Sequence, residues 1–255
     1  MKKYPLNKVE YYSTFKDMIE ALPVGREDQP AISWFTRKGE EKGVSLKEFR
    51  EDVRNLQAYF VKNGLSGKHI AILGENSYEW LLVYFAATYC GAVSVCIDIE
   101  QPDTTIQQMI QMADVSAMFC LPSLEEICAE VAKNGEELFS LSGGSDKKST
   151  MDLVEAGRKI RENTPASELE TSVPADSTAS IVFTSGTTSV SKPVMLSHEA
   201  ILTNASDALA LFSFISVIIS TVTQIIFPKV YSIAWLWVVV KILLVPITCG
   251  VGFEV

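Results

Sequence analysis

The chain contains the sequence Ile181-Val-Phe-Thr-Ser-Gly-Thr-Thr-Ser-Val-Ser-Lys-Pro-Val-Met-Leu-Ser-His198. An apolar run, Ala179 to Phe183, leads into a loop of small hydroxyl residues that also holds one glycine and one lysine. Hydroxyl donors, a flexible backbone and a single cation suit the phosphate tail of a nucleotide. We therefore predict a strand, then a phosphate-binding loop, then a helix that begins near Ser197.

The residues on either side of the lysine exclude one kind of nucleotide-binding loop. A Walker-type loop has a glycine directly before its lysine and a Ser or Thr directly after it. Here Ser191 precedes Lys192 and Pro193 follows it, so the Walker-type loop is excluded. The alternative is a surface turn that is merely rich in Ser and Thr.

Apolar runs with strand character alternate with helical patterns through most of the chain. Such an alternation predicts an α/β fold with a mainly parallel sheet and helices on both faces. Strands are predicted at residues 69–73, 92–97, 115–120, 137–141 and 179–183, and a short hairpin at residues 31–36 and 44–46. Helices are predicted to follow Ser45 and Ser77 and to span residues 103–113, 124–132, 151–161 and 199–211, with a connector at 163–177.

Composition narrows the classes of function. The net charge of -9 argues against nucleic acid as a partner. Two histidines and five cysteines without CxxC spacing predict no metal centre and no disulfide framework, which is typical of a reducing compartment. The N-terminal Met-Lys-Lys-Tyr-Pro has no apolar core after its lysines, so no signal peptide is predicted and a cytoplasmic location is expected.

The loop from Thr184 to Lys192, followed by Leu-Ser-His198, resembles the signature loop of the adenylate-forming (AMP-forming) acyl-CoA synthetase superfamily. The family pattern reads roughly Thr-Ser-Gly-Thr-Thr-Gly-x-Pro-Lys-Gly, so Ser189, Ser191 and Pro193 depart from it. The hydroxyl-rich variant of the loop looks most like that of long-chain fatty-acid CoA ligases. Two earlier stretches, from Gly64 to Trp80 and Gly91-Ala-Val, also resemble the family in order and spacing.

This resemblance implies a ligase that uses ATP and Mg²⁺ to convert a carboxylic acid, here a fatty acid, into an acyl-adenylate. The acyl group then passes to coenzyme A. The resemblance assigns the phosphate cradle to Thr184, Ser185, Gly186, Thr187 and Thr188, and its cation to Lys192. It assigns no catalytic residue and no metal ligand to this chain.

The resemblance covers residues 10 to 212, which correspond to an N-terminal part of such an enzyme. The family's later Gly/Thr/Glu motif, ribose-binding aspartate and lysine-bearing C-terminal domain have no counterpart in the sequence. We therefore predict a partial AMP-binding domain at residues 1–212 and an apolar tail at 213–255. We also expect the chain by itself not to complete adenylation.

The apolar tail admits three interpretations. Residues 208–228 carry no charge, and Lys241 is the only charge in residues 230–250. The tail could form two membrane-spanning helices, since about 20 apolar residues suffice, or buried strands that pair with another chain. It could also be an out-of-frame or truncated product. The alternative function is accordingly a non-enzymatic nucleotide-binding fragment, attached to a membrane through residues 208–250 or dependent on a partner such as the other half of a split enzyme.

Overall fold

The computed structural model describes residues 10–22, 25, 27–35, 39–132, 135–184 and 192–208. The chain forms two compact units. The larger unit, Tyr12–Leu202, contains every strand of the described ranges and the site considered below. In the described part of the smaller unit, residues 10–11 and 203–208, the Tyr11 hydroxyl donates a hydrogen bond to Asp207 over 3.0 Å.

The main sheet has six strands in the order β6-β5-β3-β4-β7-β8. All neighbouring strands are parallel except β8, which runs antiparallel to β7 at one edge. A separate antiparallel pair, β1 and β2, forms a hairpin. The strands are β1 (Pro30–Phe35), β2 (Glu41–Ser45), β3 (His69–Leu73), β4 (Val93–Cys96), β5 (Ala117–Cys120), β6 (Glu137–Ser140), β7 (Thr178–Thr184) and β8 (Lys192–Ser197).

Seven helices with described ends surround the strands, and residues 198–208 are also helical. The seven are α1 (Phe15–Glu20), α2 (Leu46–Lys62), α3 (Tyr78–Tyr89), α4 (Asp103–Met112), α5 (Glu125–Val131), α6 (Thr150–Asn163) and α7 (Ala166–Leu169). Local signals fix several ends. Ser45 begins α2 with a capping box to Glu48, and Ser77 caps α3. Gly91 follows α3 with φ of 78°, a left-handed conformation that glycine adopts without strain.

The two faces of the sheet bury two separate apolar clusters, as the period of a strand requires. Ile70 and Ile72 of β3 face the cluster that includes side chains of α2, α3 and α6. Ala71 and Leu73 face the cluster that includes α4 and α5. Helices therefore cover both faces, and the predicted α/β architecture is confirmed.

Two features of the topology differ from the prediction. The sheet is mixed, because the segment after the predicted phosphate loop returns as the antiparallel strand β8 before the helix at residues 198–208 begins. The prediction lacked this strand, whereas the helix does begin close to the predicted Ser197. The short helices α1 and α7 were also not predicted, and α7 lies inside the predicted connector.

Candidate functional site

The two ends of the predicted phosphate loop lie opposite each other. Thr184 ends β7, Lys192 begins β8, and the two residues are paired across the antiparallel ladder. The Thr184 hydroxyl donates to the backbone oxygen of Lys192 over 3.5 Å, a long contact, and both residues are exposed. The hairpin thus holds a hydroxyl group and a cation at one exposed point of the sheet. The other predicted cradle residues, Ser185, Gly186, Thr187 and Thr188, lie outside the described residues.

Pro193 occupies a position where the fold tolerates proline. It is the second residue of β8 and pairs with Phe183. Because β8 is an edge strand, it has a neighbour on one side only, and prolines in sheets are confined to such strands. The departure from the family pattern at this position is therefore compatible with the hairpin.

The loop leaves the carboxyl end of β7, on the same edge of the sheet as the carboxyl ends of β3, β4 and β5. Ligands of open α/β sheets bind at this edge, usually where strand order reverses. The reversal here lies between β3 and β5, since β4 follows on one side of β3 and β5 on the other. Because β3 and β4 both stand between that point and β7, the carboxyl end of β7 lies two strands away from the reversal point.

Polar side chains lie between β4, β7 and α3 and form a seam of Ser94, Cys96, Ser180 and Tyr84. The buried Ser180 donates its hydroxyl hydrogen to the Ser94 backbone oxygen over 3.0 Å, and its Oγ lies 3.8 Å from Cys96 Sγ. Burial raises the pKa of Tyr84 to about 12, with Cys96 acting in the same direction and a hydrogen bond with Ser180 opposing it. Burial also raises the pKa of Cys96 to about 11. The Tyr84 hydroxyl and the Cys96 thiol are therefore protonated at neutral pH, which does not suit Cys96 to act as a nucleophile.

Sequence reasoning missed this seam, although a signal was present. Ser94 and Cys96 are two residues apart on β4, and Ser180 stands in β7 between Ala179 and Ile181. Polar residues inside otherwise apolar strands that are buried on both faces indicate side chains with partners inside the protein.

A depression of about 820 Å³ between α1, α2, α6 and α7 includes no residue of β7 or β8 in its lining. Several of its charged groups pair with one another: Arg54 binds Glu20 and Glu51, and Arg161 binds Glu51 over 2.8 Å. Burial would raise the pKa of Glu20, but hydrogen bonds from Arg54 and Tyr89 outweigh it and lower that pKa. Because these charges are satisfied internally, we assign no ligand to the depression.

Neither a metal ligand set nor a membrane segment emerges from the described ranges. No group of three or more His, Cys, Asp or Glu side chains is placed to hold a metal ion there. Thr184 and Lys192 offer a hydroxyl group and a cation, which does not match the carboxylate-rich set that Mg²⁺ prefers. None of the helices described has both the length and the apolar content that a membrane crossing requires. The predicted apolar tail, 213–255, lies outside the described residues.

The sequence model of the AMP-binding enzyme family matches residues 20–250 of the chain. The chain belongs to this family. The match covers both ends of the hydroxyl-rich loop. It also includes most of residues 213–255, which we separated from the domain on their apolar composition. The boundary at residue 212 stays a prediction.

Relatives within the AMP-binding enzymes act on different acids. The chain is 25% identical to the mitochondrial medium-chain acyl-CoA ligase ACSF2 of Danio rerio over 76% of its own length and 35% of that protein. It is also 25% identical to the D-alanine–D-alanyl carrier protein ligase of Streptococcus equi, over 73% of its length and 33% of that protein. The chain thus spans about a third of the length of these relatives.

Solved structures of AMP-binding enzymes share the fold. Apo MatB from Rhodopseudomonas palustris superposes with a TM-score of 0.60 at 25% identity, over 76% of this chain and 36% of MatB. The ATP-bound form of MatB gives a TM-score of 0.57 with the same identity and coverage. The described part of the chain therefore corresponds to an N-terminal portion of these enzymes.

Proposed function

We propose that the chain provides the phosphate-binding part of an ATP-dependent ligase that activates a carboxylic acid. The observation that carries the proposal is the hairpin that brings Thr184 and Lys192 together at the exposed carboxyl end of β7. Membership of the AMP-binding enzymes and the likeness to a protein solved with bound ATP support it.

In the reaction that we propose, a carboxylate oxygen of the acid attacks the α-phosphorus of ATP. The bond from that phosphorus to the bridging oxygen breaks, and pyrophosphate leaves with its electron pair. A thiol, for which we propose coenzyme A, then attacks the acyl carbonyl carbon, loses its proton and displaces AMP. Both steps release anions, so catalysis needs compensation of negative charge more than a strong base.

The residues of this chain would act in the first step. The Lys192 ammonium group would offset negative charge on the phosphates, and the Thr184 hydroxyl would donate a hydrogen bond to a phosphate oxygen. We propose Ser185, Gly186, Thr187 and Thr188 as the rest of the cradle, since hydroxyl groups and a flexible backbone supply further donors. Magnesium would enter with ATP on the phosphate oxygens, and we assign it no ligand from this chain.

Binding of ATP to the purified chain tests the role of Lys192. Loss of a charge-assisted contact predicts that Lys192→Ala weakens binding by about tenfold, while Lys192→Arg retains most of it. Lys62→Ala is the matched control, since that side chain lies on α2 outside the site and is also exposed. Equal affinity of the Lys192→Ala variant and the wild type would refute the phosphate role.

We further propose that the 255 residues alone do not complete adenylation, because they lack the later family motifs named above. Exchange between ATP and labelled pyrophosphate, measured with a panel of fatty acids, tests this. Robust exchange would overturn it. The fatty-acid type is supported by the acyl-CoA ligase relative, whereas the D-alanine ligase shows that the family also takes amino acids. A longer protein that includes this chain would give the acid preference, by exchange with both classes.

The second candidate is a non-enzymatic nucleotide-binding fragment held at a membrane or by a partner. The apolar composition of residues 208–250 favours it. Extraction of the chain by detergent, but not by a high-salt wash, would support membrane attachment. Reading the nucleotide sequence beyond the codon for Phe214 distinguishes an altered frame, or a split gene that encodes the later motifs, from a tail that belongs to this protein.

A further inference from the structure

His198 lies directly after β8 and is fully buried. Its Nδ1 accepts a hydrogen bond from the backbone N–H of Phe15 over 3.3 Å, across 183 residues of sequence. A nitrogen that accepts a hydrogen bond carries no proton, so the neutral ring holds its proton on Nε2. The imidazole ring also packs edge-on against the Phe15 ring, with 5.5 Å between centroids.

This histidine makes one buried hydrogen bond and leaves another group unsatisfied. Nε2 is buried and has no hydrogen-bond partner among the described residues. A buried donor without a partner is unfavourable, and an apolar ring of similar size would avoid that cost. An apolar ring, however, could not accept the hydrogen bond from the Phe15 N–H. This N–H lies at the start of α1 and would then have no partner.

Phe15 connects His198 to the core of the larger unit. The Phe15 ring packs edge-on against Tyr84 and Phe85 of α3, at 5.7 and 5.8 Å between centroids. It belongs to an apolar cluster that also includes Ala179 of β7 and Leu202. Through this contact the end of β8 is attached to α1 and α3 as well as to β7.

Such an attachment matters because β8 is an edge strand with a single neighbour. Its pairing with β7 contains an irregularity between Thr178 and Ser180, close to His198. A shift of one residue in a strand turns every side chain to the other face. The register that places Lys192 opposite Thr184 therefore depends on how the far end of β8 is fixed, and the His198 N–H also donates to Ser177 O there, over 3.2 Å.

We infer that His198 is a positioning residue for the phosphate loop: its Nδ1 bond to Phe15 fixes the end of β8 and thereby holds Lys192 opposite Thr184. The functional part of this inference rests on the proposed phosphate role of Lys192. The structural part does not, since it concerns β8 alone.

Amide hydrogen exchange and ATP binding, measured on the full chain, test the inference. His198→Asn keeps an acceptor at the position of Nδ1, whereas His198→Phe keeps a buried ring without one. We expect His198→Phe to speed exchange of the β8 and Phe15 amides by about tenfold while β3 amides are unaffected, and to weaken ATP binding by several fold. His198→Asn should stay within about twofold of the wild type in both measurements.

The outcomes separate the two proposals. Equal exchange of the β8 amides in wild type and His198→Phe would overturn the inference. An equal loss of exchange protection and of ATP affinity in His198→Phe and His198→Asn would overturn it as well. Faster β8 exchange in His198→Phe, together with unchanged ATP affinity in Lys192→Ala, would refute the phosphate role and leave the positioning role intact. If His198→Phe does not fold, ¹⁵N NMR of the wild-type imidazole decides: a proton on Nδ1 overturns the inference, and a bare Nδ1 coupled to Phe15 N–H supports it.

Discussion

Replacement of Gly157 by alanine tests the close contact between α6 and α2. Gly157 lies in α6 where this helix crosses α2. A Cβ atom at this position would lie 1.8 Å from the backbone oxygen of Asn55 and 2.6 Å from its carbonyl carbon. Both atoms belong to the backbone of α2, so no side chain can rotate away to make room. The two helices must separate or tilt to accept the methyl group.

The magnitude follows from that distance. A carbon-to-oxygen contact is ordinarily about 3.3 Å or longer, so the crossing must widen by roughly 1.5 Å. Overpacking of a tight interior costs about 1–3 kcal/mol, and sometimes more. Alanine favours a helix over glycine by at most about 1 kcal/mol, which offsets only part of this cost. We expect a net loss of about 2 kcal/mol in the free energy of unfolding, or a fall of about 4–8 °C in Tm.

Urea unfolding followed by far-UV circular dichroism measures the effect. Lys159→Ala is the control, because Lys159 lies on the exposed side of α6 and its ion pair with Glu155 is at the surface. That variant should change the free energy of unfolding by less than about 0.5 kcal/mol. In the Gly157→Ala variant, the separation of α6 from α2 should also weaken the 2.6 Å hydrogen bond from Arg161 to Asn55. A Gly157→Ala protein as stable as the wild type, or more stable, would show that the helices do not cross this closely.

For three further perturbations, the structure determines the direction of the effect on stability. Ser45→Ala removes the capping box with Glu48 at the start of α2 and should cost about 1 kcal/mol in urea unfolding; no loss would contradict the cap. Phe119→Ala opens the fully buried core of β5 and should cost about 3–5 kcal/mol, whereas Met112→Ala, at an exposed position, should cost less than about 0.5 kcal/mol. Burial lowers the pKa of His198, with Asp17 opposing, so the unfolded chain binds this proton more readily than the folded one. The stability that the neutral His198 provides is complete above about pH 6.5 and falls as the pH decreases below that value. The free energy of unfolding should therefore be lower at pH 5.5 than at pH 7.5, and His198→Asn should abolish this difference.

The parts of the fold that were predicted have local causes. Residues 69–73 form β3 with the predicted bounds, since a short apolar run between polar turns is typical of a buried parallel strand. Ser45 and Ser77 begin α2 and α3 as their positions before helical patterns predicted. These signals lie within a few residues of the elements that they define.

Other parts escaped prediction for two different reasons. The helix α1 carries a local signal, because Thr14 and Asp17, three residues apart, form a capping box at its start. The strand β8 carries no comparable signal. Its first four residues are exposed, its second residue is a proline, and it exists through pairing with β7. The contact of His198 with Phe15 is likewise non-local, so no window of the sequence contains both partners.

The position of β8 changes the electrostatic basis of the proposed phosphate site. A loop that led directly into a helix would offer the free N–H groups and the positive end of the helix dipole to a phosphate. In the structure the helix begins at residue 198, after the whole of β8, and its first amides are already bonded. The N–H groups of His198 and Glu199 donate to backbone oxygens of the segment before β7, and the N–H of Ala200 donates to the Ser197 hydroxyl. Because these donors are occupied, the helix adds no positive charge to a phosphate at the loop, and among the described residues of the hairpin Lys192 would supply it. The Lys192→Ala variant should therefore lose more affinity for ATP than a site backed by a helix N-terminus would, and a small loss would mean that some other cation serves the phosphates.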